Sequence, residues 1–237
     1  MASFVKDITS FYGTGARNDA GQTLEEFLDV YDPYKYKTPS CTTDAVVFSY
    51  TEKLSRSLEG LKILLVQRSN HPSIGFWALP GGFIELEENL EDTARRELEE
   101  ETGVKDLTME QIAVYGDWDR DPRARIITTA YMALVRESDV KVQAGDDAAD
   151  AAWCRVSFER LDSVQQGKQK ISRYRLRVEN TQKQVFTEAV VKRVVRGNVI
   201  REEKFTVEER GMLASDHAAI IVQALLKLQE RLEDHRG

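Results

Sequence analysis

The chain has 237 residues, 41% hydrophobic and 31% charged, and its 33 basic against 40 acidic residues leave a net charge of −7. That composition is typical of a soluble globular protein with one domain and additions, or two small ones, and the overall balance offers no affinity for nucleic acid. Cys41 and Cys154 form neither a close pair nor a Cys/His cluster, so no zinc site or disulfide framework follows.

Residues 1–40 read as an N-terminal extension. They lack a signal-peptide core, and no apolar run in the chain reaches membrane-spanning length, so a cytoplasmic protein with no membrane partner is expected. Thr23-Leu-Glu-Glu26 resembles a capping box and predicts a short helix to about Val30. Asp32-Pro-Tyr-Lys-Tyr-Lys-Thr-Pro39 ends it as an extended linker. Tyr31, Tyr34 and Tyr36 are expected to pack on the domain or on a second copy in a homodimer. Residues 45–50 and 62–67 are apolar, β-prone runs joined by a polar loop. Arg68 closes the second run. An arginine fork suits phosphate oxygens, which makes Arg68 a candidate contact for a diphosphate. Trp77-Ala-Leu-Pro80-Gly-Gly82 follows, and its glycines allow close backbone approach to a phosphate or metal.

The stretch from Gly82 to Val104 is the most informative in the chain. Asn89 and Asp92 mark a helix start with a side chain free to cap the first turn, and Gly103 marks its left-handed stop. At about 100° per residue, Glu97, Glu100 and Glu101 share one arc of the helix, a set of repelling carboxylates that a hard divalent cation would relieve. Arg96 lies one turn before Glu100, where it can orient a carboxylate. Ala94 and Leu98 flank the arc, so the packing face adjoins the acidic one. A solvated acidic helix would show the same charge run. The glycines, the arginine and the apolar positions matching together favour a metal site. Residues 85–101 hold nine acids and two basic residues, a local −7.

Read as spacing, the stretch is Gly82, five residues, Glu88, seven residues, Arg96-Glu97-Leu98, one residue, Glu100-Glu101, one residue, Gly103-Val104. Every fixed position of the Nudix box is present, and the chain resembles a Nudix hydrolase. The resemblance implies an α/β/α sandwich with a curved mixed sheet. It also implies cleavage of a nucleoside diphosphate derivative with Mg²⁺ or Mn²⁺. Glu97, Glu100 and Glu101 would act with Arg96, the Gly82 carbonyl would join the metal ligands, and Glu85 would add a metal or ribose contact. Glu88 is expected to be structural.

Residues 110–117 and 125–134 read as two more strands. The link between them, Gly116-Asp-Trp-Asp-Arg120-Asp121-Pro122-Arg123, together with His71-Pro-Ser-Ile-Gly-Phe-Trp77, looks like the Nudix branch that hydrolyses ADP-ribose or senses related molecules. Such a turn can place one arginine over the substrate and lock the other in a salt bridge, so Arg120 and Arg123 are candidate substrate contacts; a rigid connection held by Pro122 is the alternative. The proton acceptor is left between the box and the acidic loop Asp146-Asp147-Ala-Ala-Asp150.

Residues 151–156 predict a short strand. The Nudix domain would occupy residues 41–162 and close with residues 206–237. Residues 163–205 interrupt it as a basic insertion. Within them, residues 168–204 carry eleven basic and four acidic residues, a local +7. Arg173, Arg175 and Arg177 alternate with Tyr174, Leu176 and Val178, and turns fall at Asn180 and Gly197-Asn198. A three-stranded β-meander with one buried face is expected, packed on the domain body or across a homodimer. The last helix, residues 216–232, has an amphipathic stripe of Ile220, Ile221, Ala224, Leu225, Leu228 and Leu232, with His217 as a structural residue at its start.

The leading expectation is hydrolysis of ADP-ribose to AMP and ribose 5-phosphate. A (d)NTP pyrophosphohydrolase of the oxidised-nucleotide type is the alternative within the same class. A ligand-sensing transcriptional regulator is the alternative outside it. The complete box and the position of the last helix near the end of the chain oppose the regulator, and nucleic acid is not expected as a partner.

Overall fold

In the computed structural model, which describes residues 4–51, 54, 57–142 and 148–234, the chain divides into two units, Met1–Thr38 and Pro39–Gly237. In the first unit, Thr23 opens helix α1 (Leu24–Val30). Its side chain accepts the Glu26 N–H, while the Glu26 carboxylate takes the Thr23 N–H, the capping box expected from the sequence. None of the described residues of this unit is buried.

In the second unit the apolar runs at residues 45–48 and 63–66 become the centre of a sheet. Strands without a polar break are covered on both faces, and that is the case for β1 (Ser40–Tyr50) and β2 (Lys62–Arg68). Alternate residues serve opposite layers. Val46, Phe48, Ile63 and Leu65 pack in one core with Ile220, Ile221 and Leu225 of the last helix, α3 (His217–Asp234). Ala45, Val47 and Leu64 pack on the other face with Leu98 of helix α2 (Leu90–Thr102) and with Val104. Each fully buried Leu or Ile contributes on the order of 2 kcal/mol.

The remaining strands are β3 (Trp77–Ala78), β4 (Glu110–Tyr115), β5 (Ile126–Arg136), β6 (Ala148–Gln166), β7 (Gln169–Asn180), β8 (Val185–Arg196) and β9 (Glu202–Glu209). The sheet order is β4-β5-β1-β2-β6-β7-β8-β9, with β3 beside β2. β1 and β5 are parallel and the other pairs antiparallel, so the sheet is mixed. Helix α3 touches β1 and β4 on one side and β7, β8 and β9 on the other. Lys204 of β9 reaches Asp117, just beyond β4, at 3.0 Å. The sheet therefore curves round α3. Among the described residues no helix is long and apolar enough to cross a membrane.

The meander differs from the expected three strands. The short strand expected at residues 151–156 instead runs 19 residues, because β7 offers it partners as far as Gln166↔Gln169. Four long strands result, the first shared with the domain. The alternation holds: Tyr174, Leu176 and Val178 are buried in the core shared with α3. On the opposite face Arg173 pairs with Asp162 and Glu208, while Arg175 and Arg177 pair with Glu159 and Glu188. Three of these acids, Glu159, Asp162 and Glu208, lie outside the basic segment, so neighbouring strands neutralise much of its local excess.

Helix α2 also departs from expectation at its start. Asn89 is the N-cap residue, yet its side chain caps no backbone N–H. Its Nδ2 instead donates to the Asp92 carboxylate at 2.8 Å. Gly103 ends the helix at φ 72°, as expected.

Candidate active site

The glycine loop before α2 lies along β1. The Ala45 N–H donates to the Pro80 carbonyl at 2.8 Å, the Thr43 N–H to the Gly82 carbonyl at 2.9 Å, and the Ile84 N–H to the Cys41 carbonyl at 3.1 Å. Glycine is required at two points here. A Cβ on Gly81, at φ 156°, would collide with the Thr43 carbonyl oxygen, and one on Gly82 would collide with the Glu97 carboxylate. The loop can therefore sit between β1 and the acidic face of α2.

That placement separates the three box carboxylates. Glu101 is turned inward and accepts the Gly81 N–H at 3.0 Å. Burial pushes its pKa up to about 7; Glu97 and Asp44 add to the shift, while the Gly81 N–H and Arg68 oppose it. Glu97 abuts Gly82, and burial raises its pKa too, against the pull of Arg96. Glu100 stays outside, its side chain 59% exposed. Arg96 ties the group together. Its guanidinium donates to Glu88 at 2.7 and 3.0 Å, to Glu97 at 2.7 Å, to Glu100 at 3.1 Å and to the Phe83 carbonyl at 3.2 Å. Its bond, with a second from Thr93, lowers the Glu88 pKa to about 2. Glu88 thus buttresses the loop.

Among the described residues no three His, Cys, Asp or Glu side chains stand close enough together to hold a metal ion as they are. The Arg96 guanidinium lies between Glu97 and Glu100 and donates to both. The donor set still suits a hard cation in kind. Glu97 and Glu101 are desolvated acids whose pKa values a bound cation would bring down. The Gly82 carbonyl, with one lone pair given to Thr43, keeps a second.

A cleft of about 330 Å³ opens beside this floor. Gly82, Glu101, Arg68, Arg120 and Arg123 all line it; Glu85, Arg96, Glu97 and Glu100 do not. Glu97 backs the cleft through Gly82, and Glu85 is exposed outside it. Arg68 donates to the Pro72 carbonyl at 2.7 Å. Both arginines of the 120–123 turn are held in salt bridges. Arg120, 7% exposed, is held by both oxygens of Asp216 at 2.9 and 2.8 Å. Arg123 pairs with Asp121 and stands 5.4 Å over the Phe83 ring. Of the acidic loop, Asp146 and Asp147 lie outside the described residues. Asp150 is engaged by Lys183 at 2.6 Å.

Two side chains of the cleft, and one that holds a cleft arginine, escaped the sequence reading. Asp44 is buried, accepts from Thr128 at 2.7 Å and faces His217 Nε2 at 3.8 Å. An acid inside an apolar strand was the available signal. Phe83 lines the cleft beneath Arg123. Asp216 was read only as the start of a helix, since nothing in the spacing links it to a residue 96 positions away. His217 does begin α3, and its Nδ1 accepts the Leu79 N–H at 2.8 Å, fixing the strand before the glycine loop. That bond leaves the ring proton on Nε2, toward Asp44.

Comparison with known proteins agrees with this architecture. A relative in Acinetobacter baylyi, the ADPR responsive transcriptional repressor NtrR, is 42% identical over 113 residues, covering 47% of this chain and 43% of that protein. The ADP-ribose pyrophosphatase of Methanocaldococcus jannaschii is 42% identical over 92 residues, covering 39% of this chain and 53% of its own. The chain thus spans about half the length of the curated relatives it matches. The NUDIX domain of Shewanella oneidensis NrtR, solved with ADP ribose, superposes with a TM-score of 0.58 at 30% identity, covering 87% of this chain and 99% of that one. With the NUDIX domain model matching residues 24–175, the chain belongs to the Nudix family.

Proposed function

We propose that this protein is a Nudix hydrolase that binds ADP-ribose or a close relative in the cleft and cleaves its diphosphate to AMP and ribose 5-phosphate. One observation carries the reading: the Glu101 carboxylate and the Arg68 and Arg123 side chains line a single cleft floored by Gly82. Arginine forks suit diphosphate oxygens, and a carboxylate suits the divalent cation that accompanies them. The relatives named for ADP-ribose support this choice of ligand.

Glu97, Glu101 and the Gly82 carbonyl are the groups that would hold Mg²⁺ or Mn²⁺, with Glu100 joining once it leaves Arg96. A cation there supplies charge neutralisation at the diphosphate oxygens and a more acidic water. The chain's own residues do the rest. Arg68 and Arg123 bind and orient the phosphates. Gly81 and Gly82 let the ligand approach the backbone. Arg96, held by Glu88, fixes the Glu97 carboxylate behind Gly82.

The test is turnover of ADP-ribose, NADH, dinucleoside polyphosphates and (d)NTPs with Mg²⁺, products resolved by chromatography and excess chelator as control. ADP-ribose is expected to be cleaved fastest, to AMP, and only with metal. Faster cleavage of a nucleoside triphosphate would replace this reading with the pyrophosphohydrolase. The likeness to a transcriptional repressor favours a second reading, a sensor of ADP-ribose. Tight binding of ADP-ribose without turnover would select it.

A further inference from the structure

The chain returns from the meander to the domain through residues 211–217, and Ala214, Ser215 and His217 of this stretch line the cleft. A Cβ on Gly211, at φ 58°, would strike the Glu188 carbonyl of β8, and the Met212 N–H donates to Thr187 Oγ1 at 2.7 Å. The stretch is thereby seated on the meander. It then pairs with β3: the Trp77 N–H donates to the Met212 carbonyl and the Ala214 N–H to the Trp77 carbonyl, both at 2.9 Å. Ser215 has a left-handed backbone at φ 43°, a conformation that a residue with a side chain adopts only when its surroundings impose it. Its hydroxyl donates to the Arg120 carbonyl at 2.8 Å. Asp216 clamps the Arg120 guanidinium in a bidentate pair.

Arg120 is thus gripped at both backbone and side chain. Burial works against its charge, and the bonds to Asp216 outweigh burial, so its pKa rises. The next residue, Asp121, accepts from Arg123 Nε at 3.1 Å, from Nη2 at 2.9 Å and from the Arg123 N–H at 2.9 Å. Arg123 in turn stands over Phe83 at the cleft. Arg120 and Asp121 are neighbours in the chain, so the turn's backbone links the Asp216–Arg120 pair to the Asp121–Arg123 pair.

We propose that Asp216 is a positioning residue: by fixing Arg120 it holds the 120–123 turn so that Arg123 meets the phosphates of the bound nucleotide. The inference rests on the reading of the cleft as a nucleoside diphosphate site. The removal of a charged hydrogen-bond partner is expected to raise KM for ADP-ribose about tenfold or more in Asp216→Asn, with kcat within about twofold. Arg123→Ala should raise KM similarly, and the double variant should be no worse than Arg123→Ala alone, because both substitutions remove the same contact. Multiplied KM effects in the double variant, or an unchanged KM in Asp216→Asn, would overturn the proposal.

Amide hydrogen exchange without ligand gives an independent readout. The Arg120 and Arg123 amides should exchange about tenfold faster in Asp216→Asn while β1 and α3 are unchanged. Unchanged exchange at these two amides would overturn the proposal even if ADP-ribose proves not to be the ligand. Absence of ADP-ribose binding by the wild type would remove the functional reading and leave exchange to decide. Should Asp216→Asn fail to fold, Asp216→Glu keeps the charge and displaces it by one methylene. Its KM should rise with kcat retained, and a wild-type KM there would refute the role.

Discussion

Replacing Glu101 with glutamine tests whether the box helix holds a carboxylate under electrostatic pressure. Burial is the main reason its pKa rises from 4.5 to about 7, with Glu97 and Asp44 adding to it and the Gly81 N–H and Arg68 opposing. In the unfolded chain the group ionises near 4.5; in the metal-free fold it keeps its proton until near neutrality. Between those values the folded state binds more protons than the unfolded one, so stability falls as pH rises from 4.5 to about 7 and is level above. At about 1.36 kcal/mol per pH unit, the interval is worth ~3 kcal/mol. Glutamine keeps an oxygen for the Gly81 N–H and carries no charge. In excess chelator, Glu101→Gln should therefore match the wild type near pH 4.5 and exceed it by about 2–3 kcal/mol at pH 8. Urea unfolding at a series of pH values, with the two proteins side by side, isolates this group from the other titrating residues. The same variant should lose turnover about a hundredfold or more, since it removes a charged cation ligand. Parallel stability curves, or a variant less stable than the wild type at pH 8, would refute the reasoning.

The two glycines of the loop should behave differently. Gly82→Ala meets only the side-chain end of Glu97, so it should cost about 1 kcal/mol of stability while sharply reducing turnover, because Glu97 must swing away from Arg96. Gly81→Ala meets the backbone of β1, so thermal unfolding should show a loss of about 3 kcal/mol or more; equal melting temperatures for the two variants would contradict this. The meander's arginines already face acids across the strands, so a gel-shift titration at about 150 mM salt should show no sequence-selective DNA complex. A selective shift that survives there and is relieved by ADP-ribose would support the regulator instead.

What could be read from the sequence was what depends on near neighbours. Glycine at 103, the repeat of Glu97, Glu100 and Glu101, and the two-residue alternation at 173–178 each follow from backbone geometry over a turn or a pair of residues, and the structure has all three. The capping box at Thr23 is of the same kind. Asn89 departs from this: it makes no side-chain cap, and its Nδ2 donates to Asp92. What only the tertiary structure decided depends on segments far apart in the chain. Helix geometry places the three glutamates on one face. It is the glycine loop, pressed between β1 and α2, that half-buries Glu97 and Glu101 and leaves Glu100 in solvent. The length of β6 was set by its partner β7, not by its own polar sequence beyond Val156. Asp216 is placed by the buried charge on Arg120, a cleft residue that needs a partner. Burial of that charge is a property of the packed molecule, and no local pattern of residues encodes it.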